Sequence, residues 1–272
     1  MRPRAVAPAV GAAAATLAGF LGAARAEFEI PEVDAEKGAF EAEYRGARHW
    51  GLPRASGDDD IDALRQSHEV ELQYGLTDWW MLRLTPNLEQ PADESIELAS
   101  IGIETQFVLI PRRGGTLGVA FMAGYGPYSL FVEDDTPDEL EFGPVVEYAP
   151  GPWLLTLNPR LAREIGEHTE TKSFGFEYAA QLKYSFARRW GIAVLGFGEV
   201  EDLANAGPFE SQTHVLGPSL YLSSGHEGKE AGESPNEDSD GGREWNLGVG
   251  VLFGLTAASA DAALRVTFAV EY

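Results

Sequence analysis

From Phe174 to Phe186 the chain alternates without a break, with Phe174, Phe176, Tyr178, Ala180, Leu182, Tyr184 and Phe186 on one face and Gly175, Glu177, Gln181, Lys183 and Ser185 on the other. A period of two is that of a β-strand, whose successive side chains point to opposite sides. The pattern recurs in segments of about ten residues, twelve in all. Their apolar faces are marked by Phe40–Tyr44, His68–Tyr74, Trp80–Leu84, Ile101–Leu109, Leu117–Tyr125, Leu140–Tyr148, Leu155–Leu161, Phe174–Phe186, Trp190–Val194, Leu216–Leu222, Trp245–Leu255 and Leu264–Tyr272. Pro86, Pro144, Pro159 and Pro218 fall within these runs. Each deletes a ladder donor, so bulges or strand ends are expected there.

After residue 26 no stretch approaches the roughly 18 consecutive apolar residues that a membrane helix needs. If the chain crosses a bilayer it does so as a closed barrel, the other structure that pairs every backbone group in hydrocarbon. The last eleven residues, Ala262 to Tyr272, set Leu264, Val266, Phe268, Val270 and Tyr272 against Arg265, Thr267 and Glu271. Ending on an aromatic, they resemble the closing strand of bacterial outer-membrane β-barrels. The expected fold is all-β, a transmembrane antiparallel β-barrel of about 12 strands in the outer membrane of a Gram-negative bacterium. An even count suits a single-chain barrel with both ends in the periplasm.

The beginning of the chain agrees with export. Arg2 and Arg4 precede an apolar run from Val6 to Ala24, and Ala24-Arg25-Ala26 supplies small residues before a cut. This is the pattern of a secretory signal peptide over residues 1–26. Residues 27–37 then form an amino-terminal periplasmic segment and 38–272 the barrel. Lys and Arg number 20 against 43 Asp and Glu, and three of the 20 lie in the leader. Nucleic acid is therefore not an expected partner, because phosphate binding relies on clustered bases. There is no cysteine, and so no disulfide or thiolate chemistry.

Aromatic residues orient the strands, since Trp and Tyr favour the membrane interfaces. Tyr74 and Trp80, Tyr148 and Trp153, and Phe186 and Trp190 bracket three short turns, and with Tyr272 they outline a periplasmic girdle. The connections around Gly51–Arg65, Glu89–Ser95, Tyr128–Asp138, Ile165–Ser173 and Glu201–Ser211 are longer and acidic, as external loops are. Ser223 to Glu244 is the longest connection, and the strand count puts it on the periplasmic side, so its side is left open. The faces opposite the apolar ones line the lumen: Glu43, Arg45, Glu71, Arg83, Glu104, Arg160, Glu177, Lys183 and Arg265. Acids outnumber bases there, which favours cations if the lumen conducts. Alternatively the acids and arginines pair across strands and plug a narrow barrel. Lumen-facing glycines leave space for water or for the segment 27–37.

Chemistry is scarce. A Ser–His hydrolase needs nucleophile and base within hydrogen-bond reach, and no His-x-Ser or Ser-x-His lies on an outward face. Asp58-Asp-Asp60 with Asp62, Asp134-Asp135, and Glu237-Asp238 with Asp240 are acidic runs without calcium-loop spacing. No catalytic residue, metal site or cofactor is expected.

At Tyr74-Gly-Leu-Thr-Asp78, with Glu41-Ala-Glu-Tyr44 and the closing strand, the chain resembles proteobacterial outer-membrane porin-like barrels, including those assigned to transport in a meta-pathway of phenol degradation. The resemblance implies transport of small molecules and carries no functional residue over. The leading expectation is a passive channel or transporter for small solutes with an acidic, cation-favouring lumen. A non-conducting structural or binding barrel is the alternative, and an outer-membrane lipid-modifying enzyme or protease comes last. Outer-membrane lipids, lipopolysaccharide and the barrel-assembly machinery are the expected partners.

Overall fold

A computed structural model describes residues 27–272 except 54–62, 93, 113–116, 128–129, 132–136, 167–168, 170–172 and 225–243. The leader and the acidic runs at 58–62, 134–135 and 237–240 lie outside the described residues. Twelve strands form: β1 Phe40–Trp50, β2 Leu64–Thr77, β3 Trp80–Pro91, β4 Glu97–Ile110, β5 Leu117–Gly126, β6 Asp138–Tyr148, β7 Trp153–Ile165, β8 Gly175–Ala187, β9 Trp190–Val200, β10 Thr213–Ser223, β11 Glu244–Gly254 and β12 Ala262–Glu271. Each pairs antiparallel with its sequence neighbours, and β1 pairs with β12 to close the barrel. The seam runs from Glu41 opposite Glu271 to Trp50 opposite Ala262. Tyr272 N donates to Phe40 O at 2.9 Å, locking its end. No helix among the described residues is long and apolar enough to cross a membrane.

Alternation sends apolar side chains outward. Leu84, Ile103, Leu157, Leu182, Val194, Leu220, Val249 and Phe268 are all exposed on the outer wall. Near the loop end the outer wall turns polar, where Arg48 Nη1 donates to Gln66 Oε1 at 2.9 Å and Gln66 Nε2 to Gln90 Oε1 at 2.8 Å. Tyr74, Tyr148, Trp153, Phe186, Trp190 and Tyr272 are exposed at the opposite end, beside the turns that join β2 to β3, β6 to β7 and β8 to β9. Trp80, partly covered, stacks there on Trp79 and Phe107. Ser223 and Glu244, which bound the longest connection, lie on this turn rim too: Ser223 N donates to Arg189 O at 3.0 Å, and Arg189 Nε to Ser223 O at 2.9 Å.

The prolines sit inside strands and perturb the ladder locally. Pro86 adjoins a register shift at Asn87 and Leu88. Between β6 and β7 the pairing steps from Phe142 to Val146, leaving Pro144 outside the regular ladder, and Asn158 Nδ2 donates to Pro144 O at 3.0 Å. Between β10 and β11 it steps from Leu216 to Ser219 across Pro218. A missing N–H is thus absorbed by a skipped rung, as expected where proline enters a sheet.

An arginine at Val249, halfway along the outer face of β11, should cost about 2–4 kcal/mol of folding stability in lipid, against about 0–1 for the same change at Leu255 near the rim. Urea titration of the barrel in vesicles checks the depth dependence that a lipid-facing wall requires.

Candidate functional site

The segment 27–37 lies inside the barrel, not beneath its rim as a separate periplasmic piece. Its sequence, Glu-Phe-Glu-Ile-Pro-Glu-Val-Asp-Ala-Glu-Lys, interleaves acids with apolar residues, and the lumen wall answers each kind. The chain reverses at Gly38, whose φ of 87° is in the left-handed region open to glycine. Gly38 N donates to Gly75 O at 2.8 Å, and Gly75 N to Ala39 O at 3.0 Å. Gly75 lacks a side chain where the Glu36 carbonyl presses against the strand. From this bend the segment runs inward. Val33 and Ala35 pack on Val108, Ala120, Met122 and Val145, while Gln106 Nε2 donates to the carbonyls of Glu32 and Asp34 at 2.9 and 3.0 Å. Further along, Phe28 and Ile30 pack on a second inward apolar patch that includes Leu195, Phe197, Val215 and Leu252. The Phe28 ring centroid is 5.1 Å from that of Phe197. Phe28 has φ 59°, an unusual value for a bulky residue. Its carbonyl accepts from Arg265 Nε at 2.8 Å, which helps to hold that conformation.

Charge organises the middle of the lumen. Arg45 contacts Glu69 at 2.8 Å, Glu43 at 3.2 Å and Glu71 at 3.3 Å. Arg83 contacts Glu71 at 3.3 Å and Glu104 at 3.5 Å, and Arg160 contacts Glu141 at 3.2 Å and Glu177 at 3.4 Å. Glu29 of the plug joins the two halves, 3.4 Å from both Arg83 and Arg160. Burial pushes its carboxyl up, but Arg83, Arg45, Arg160 and Arg265 together hold it below the ordinary glutamate value. Seven expected lumen residues (Glu43, Arg45, Glu71, Arg83, Glu104, Arg160 and Glu177) thus share one network, all but Glu43 deeply buried. Lys183 and Arg265 have further contacts in the lumen. Lys183 Nζ lies 4.7 Å from the Tyr221 ring, and Arg265 serves the plug backbone. Sequence reasoning did not select Glu29 or the inward apolar patches. The mixture of acids and apolar residues over 27–36 was the available signal for Glu29, and apolar Leu195 and Phe197 on the lumen side of β9 were the signal for one patch.

Beside the plug a cavity of about 550 Å³ remains. It is lined by Glu41, Glu43, Arg45, Arg83, Lys183 and Arg265, with Gly151, Ser185, Ser223 and Glu271 from the turn rim. The plug forms part of its wall through Glu29, Ile30, Pro31, Glu32 and Asp34.

The outward histidines carry other partners. His214 Nδ1 lies 3.0 Å from Tyr178 Oη, its Nε2 3.1 Å from Gln212 Oε1, and Phe209 stacks on the ring. The nearby Ser259 hydroxyl bonds to the backbone N–H and carbonyl of His214. His68 Nδ1 lies 2.7 Å from Tyr44 Oη. Neither is a Ser–His pair. Among the described residues no group of three or more His, Asp or Glu is placed to hold a metal ion.

Neither a protein-family model nor a curated protein matches the sequence. Solved structures do. An outer-membrane channel from Pseudomonas putida F1 is similar over 91% of this chain and 98% of its own, at 9% identity and a TM-score of 0.52. The fold is that of the outer-membrane porin-like barrels. The KdgM porin matches 85% of this chain and 98% of its own at 10% identity and a TM-score of 0.49, and the CymD monoaromatic hydrocarbon channel 87% and 88% at 8% and 0.42.

Because the carboxyl of Glu29 is depressed when docked, its contribution to docking is complete above its ordinary value of 4.5 and is lost as pH falls through the lower docked value. A nitroxide at Ile30→Cys, unique in a chain without cysteine, should be immobile at neutral pH and gain mobility below about pH 4.5. In a Glu29→Gln background it should be mobile throughout that range.

Proposed function

We propose that this protein is an outer-membrane channel for small solutes, closed in the state described here by its own segment 27–37. The observation that carries the reading is the position of Glu29: a plug residue completes an ion-pair network across the lumen, with a largely polar vestibule beside it that reaches the turn rim. A barrel of twelve strands lies between eight-stranded barrels filled by their own side chains and sixteen-stranded porins with a water channel, so removing one peptide strand leaves a passage. The likeness in fold to an outer-membrane channel agrees with this. So does the outer wall, apolar along its middle and edged by aromatics that suit lipid and lipopolysaccharide contact.

Selectivity follows from the lining. Seven glutamates meet three arginines in the network. Removing the plug takes away one of those acids and leaves six, so an open lumen favours cations. The same plug supports a second reading, a barrel filled permanently and serving as a structural or binding element.

Planar-bilayer recording separates the two. The intact protein should give small or rare steps. A barrel whose residues 27–37 are deleted should give steps several-fold larger, with a reversal potential in a KCl gradient that reports cation preference. A folded deletion variant without steps would establish the filled barrel, and anion preference would overturn the assigned selectivity.

A further inference from the structure

Glu27 is gripped at both its backbone and its side chain. Its nitrogen donates to Glu69 Oε1 at 2.6 Å. Its carboxylate accepts from the Ser67 hydroxyl and lies 2.7 Å from His49 Nε2. Glu69 is 1% exposed, and its other oxygen accepts from Arg45 Nε at 2.8 Å. That guanidinium is shared with Glu43 and Glu71. Of these three glutamates Glu71 also reaches Arg83, so two arginines meet three acids here, and a buried carboxylate strongly favours a cationic donor.

The residue next to this seat follows the small-residue pattern Ala24-Arg25-Ala26, where the sequence places a signal-peptidase cut. We propose that Glu69, Ser67 and His49 form a receptor for the mature amino terminus. Hydrolysis of the Ala26–Glu27 amide adds the water hydroxyl to the Ala26 carbonyl carbon and its proton to the Glu27 nitrogen. The primary amine so released takes up a further proton and docks as an ammonium on the Glu69 carboxylate. A precursor offers that seat only a neutral amide, so the plug reaches its full grip after export and processing. The inference rests on where the plug lies and not on whether the barrel conducts.

The test uses the whole protein, secreted with its own leader and purified as the folded barrel. Amino-terminal sequencing should read Glu-Phe-Glu-Ile-Pro. Acetylation near pH 7.5 with a water-soluble active ester, followed by mass spectrometry, then compares the α-amine with Lys37, which is exposed on the same segment. The α-amine should react at least about tenfold more slowly in the folded than in the urea-unfolded protein, the size expected of one charge-assisted contact, with Lys37 nearly unchanged. Glu69→Gln, checked for heat-modifiable mobility, should return the α-amine toward the unfolded rate. A first residue other than Glu27, an α-amine as reactive as Lys37, or unchanged protection in a folded Glu69→Gln barrel would each overturn the proposal. The wild-type comparison decides the matter alone if the variant does not fold. A protected terminus in a protein whose plug deletion fails to conduct would leave the seat standing and remove the channel reading.

Discussion

Closure of the sheet between β1 and β12 is the contact on which the rest of this structure depends. An open twelve-stranded sheet would present two rows of unpaired N–H and C=O groups, which hydrocarbon cannot satisfy. Once Glu41 faces Glu271 and Trp50 faces Ala262 across the seam, no edge is left, and every strand residue has two destinations, the outer wall or the lumen. The outer wall then has to be apolar, and everything else is driven inward. That is why carboxylates and guanidiniums crowd together in the middle of the molecule. They are there because the other face belongs to lipid.

Crowding inward creates a difficulty that the segment 27–37 resolves. Buried ions are costly unless each is paired and hydrogen-bonded, and Arg83 and Arg160 stand on different sides of the lumen, on β3 and β7. Neither pairs with the other's glutamates among the contacts described. Glu29 reaches both, and the wall supplies apolar seats for the residues on either side of it in sequence. Two patches that would be out of place in a purely polar channel, around Leu195 and Phe197 and around Val108 and Met122, make sense as seats for Phe28 with Ile30 and for Val33 with Ala35.

The strands and their faces were legible in the sequence because a period of two is fixed by backbone geometry and does not depend on partners. Phe174 to Phe186 reads as a strand in any context. The arrangement of the lumen was less so. That Arg45 meets Glu69, directly opposite it across β1 and β2, follows from the register, which alternation alone does not set. The plug was harder still. Pro31 interrupts its alternation and shifts the phase from Glu27 and Glu29 to Glu32, Asp34 and Glu36, so it presents no continuous strand pattern. Its receptor left a trace in β9, where regular alternation runs from Trp190 to Val194 and then meets Leu195 and Phe197, apolar residues on the lumen side. A break in a lipid-facing pattern marked the place where an internal ligand packs.

The nature of the plug's grip bears on function. A lumen meant to stay filled is best filled with hydrocarbon, since replacing a buried ion network by well-packed apolar residues is often neutral or stabilising. Here the centre of the grip is ionic, with seven glutamates around three arginines, and the apolar patches flank it. Ion pairs near break-even hold a position without holding it strongly. They respond to protonation of their carboxylates, and Arg45, Arg83 and Arg265 stand in the wall of the vestibule. The lipid-facing wall explains why the charges lie inside, and a closure that has to be undone explains why the plug is held through them. The composition therefore supports a channel over an inert barrel, and it does so from the chemistry of the contact itself, independently of any likeness in fold.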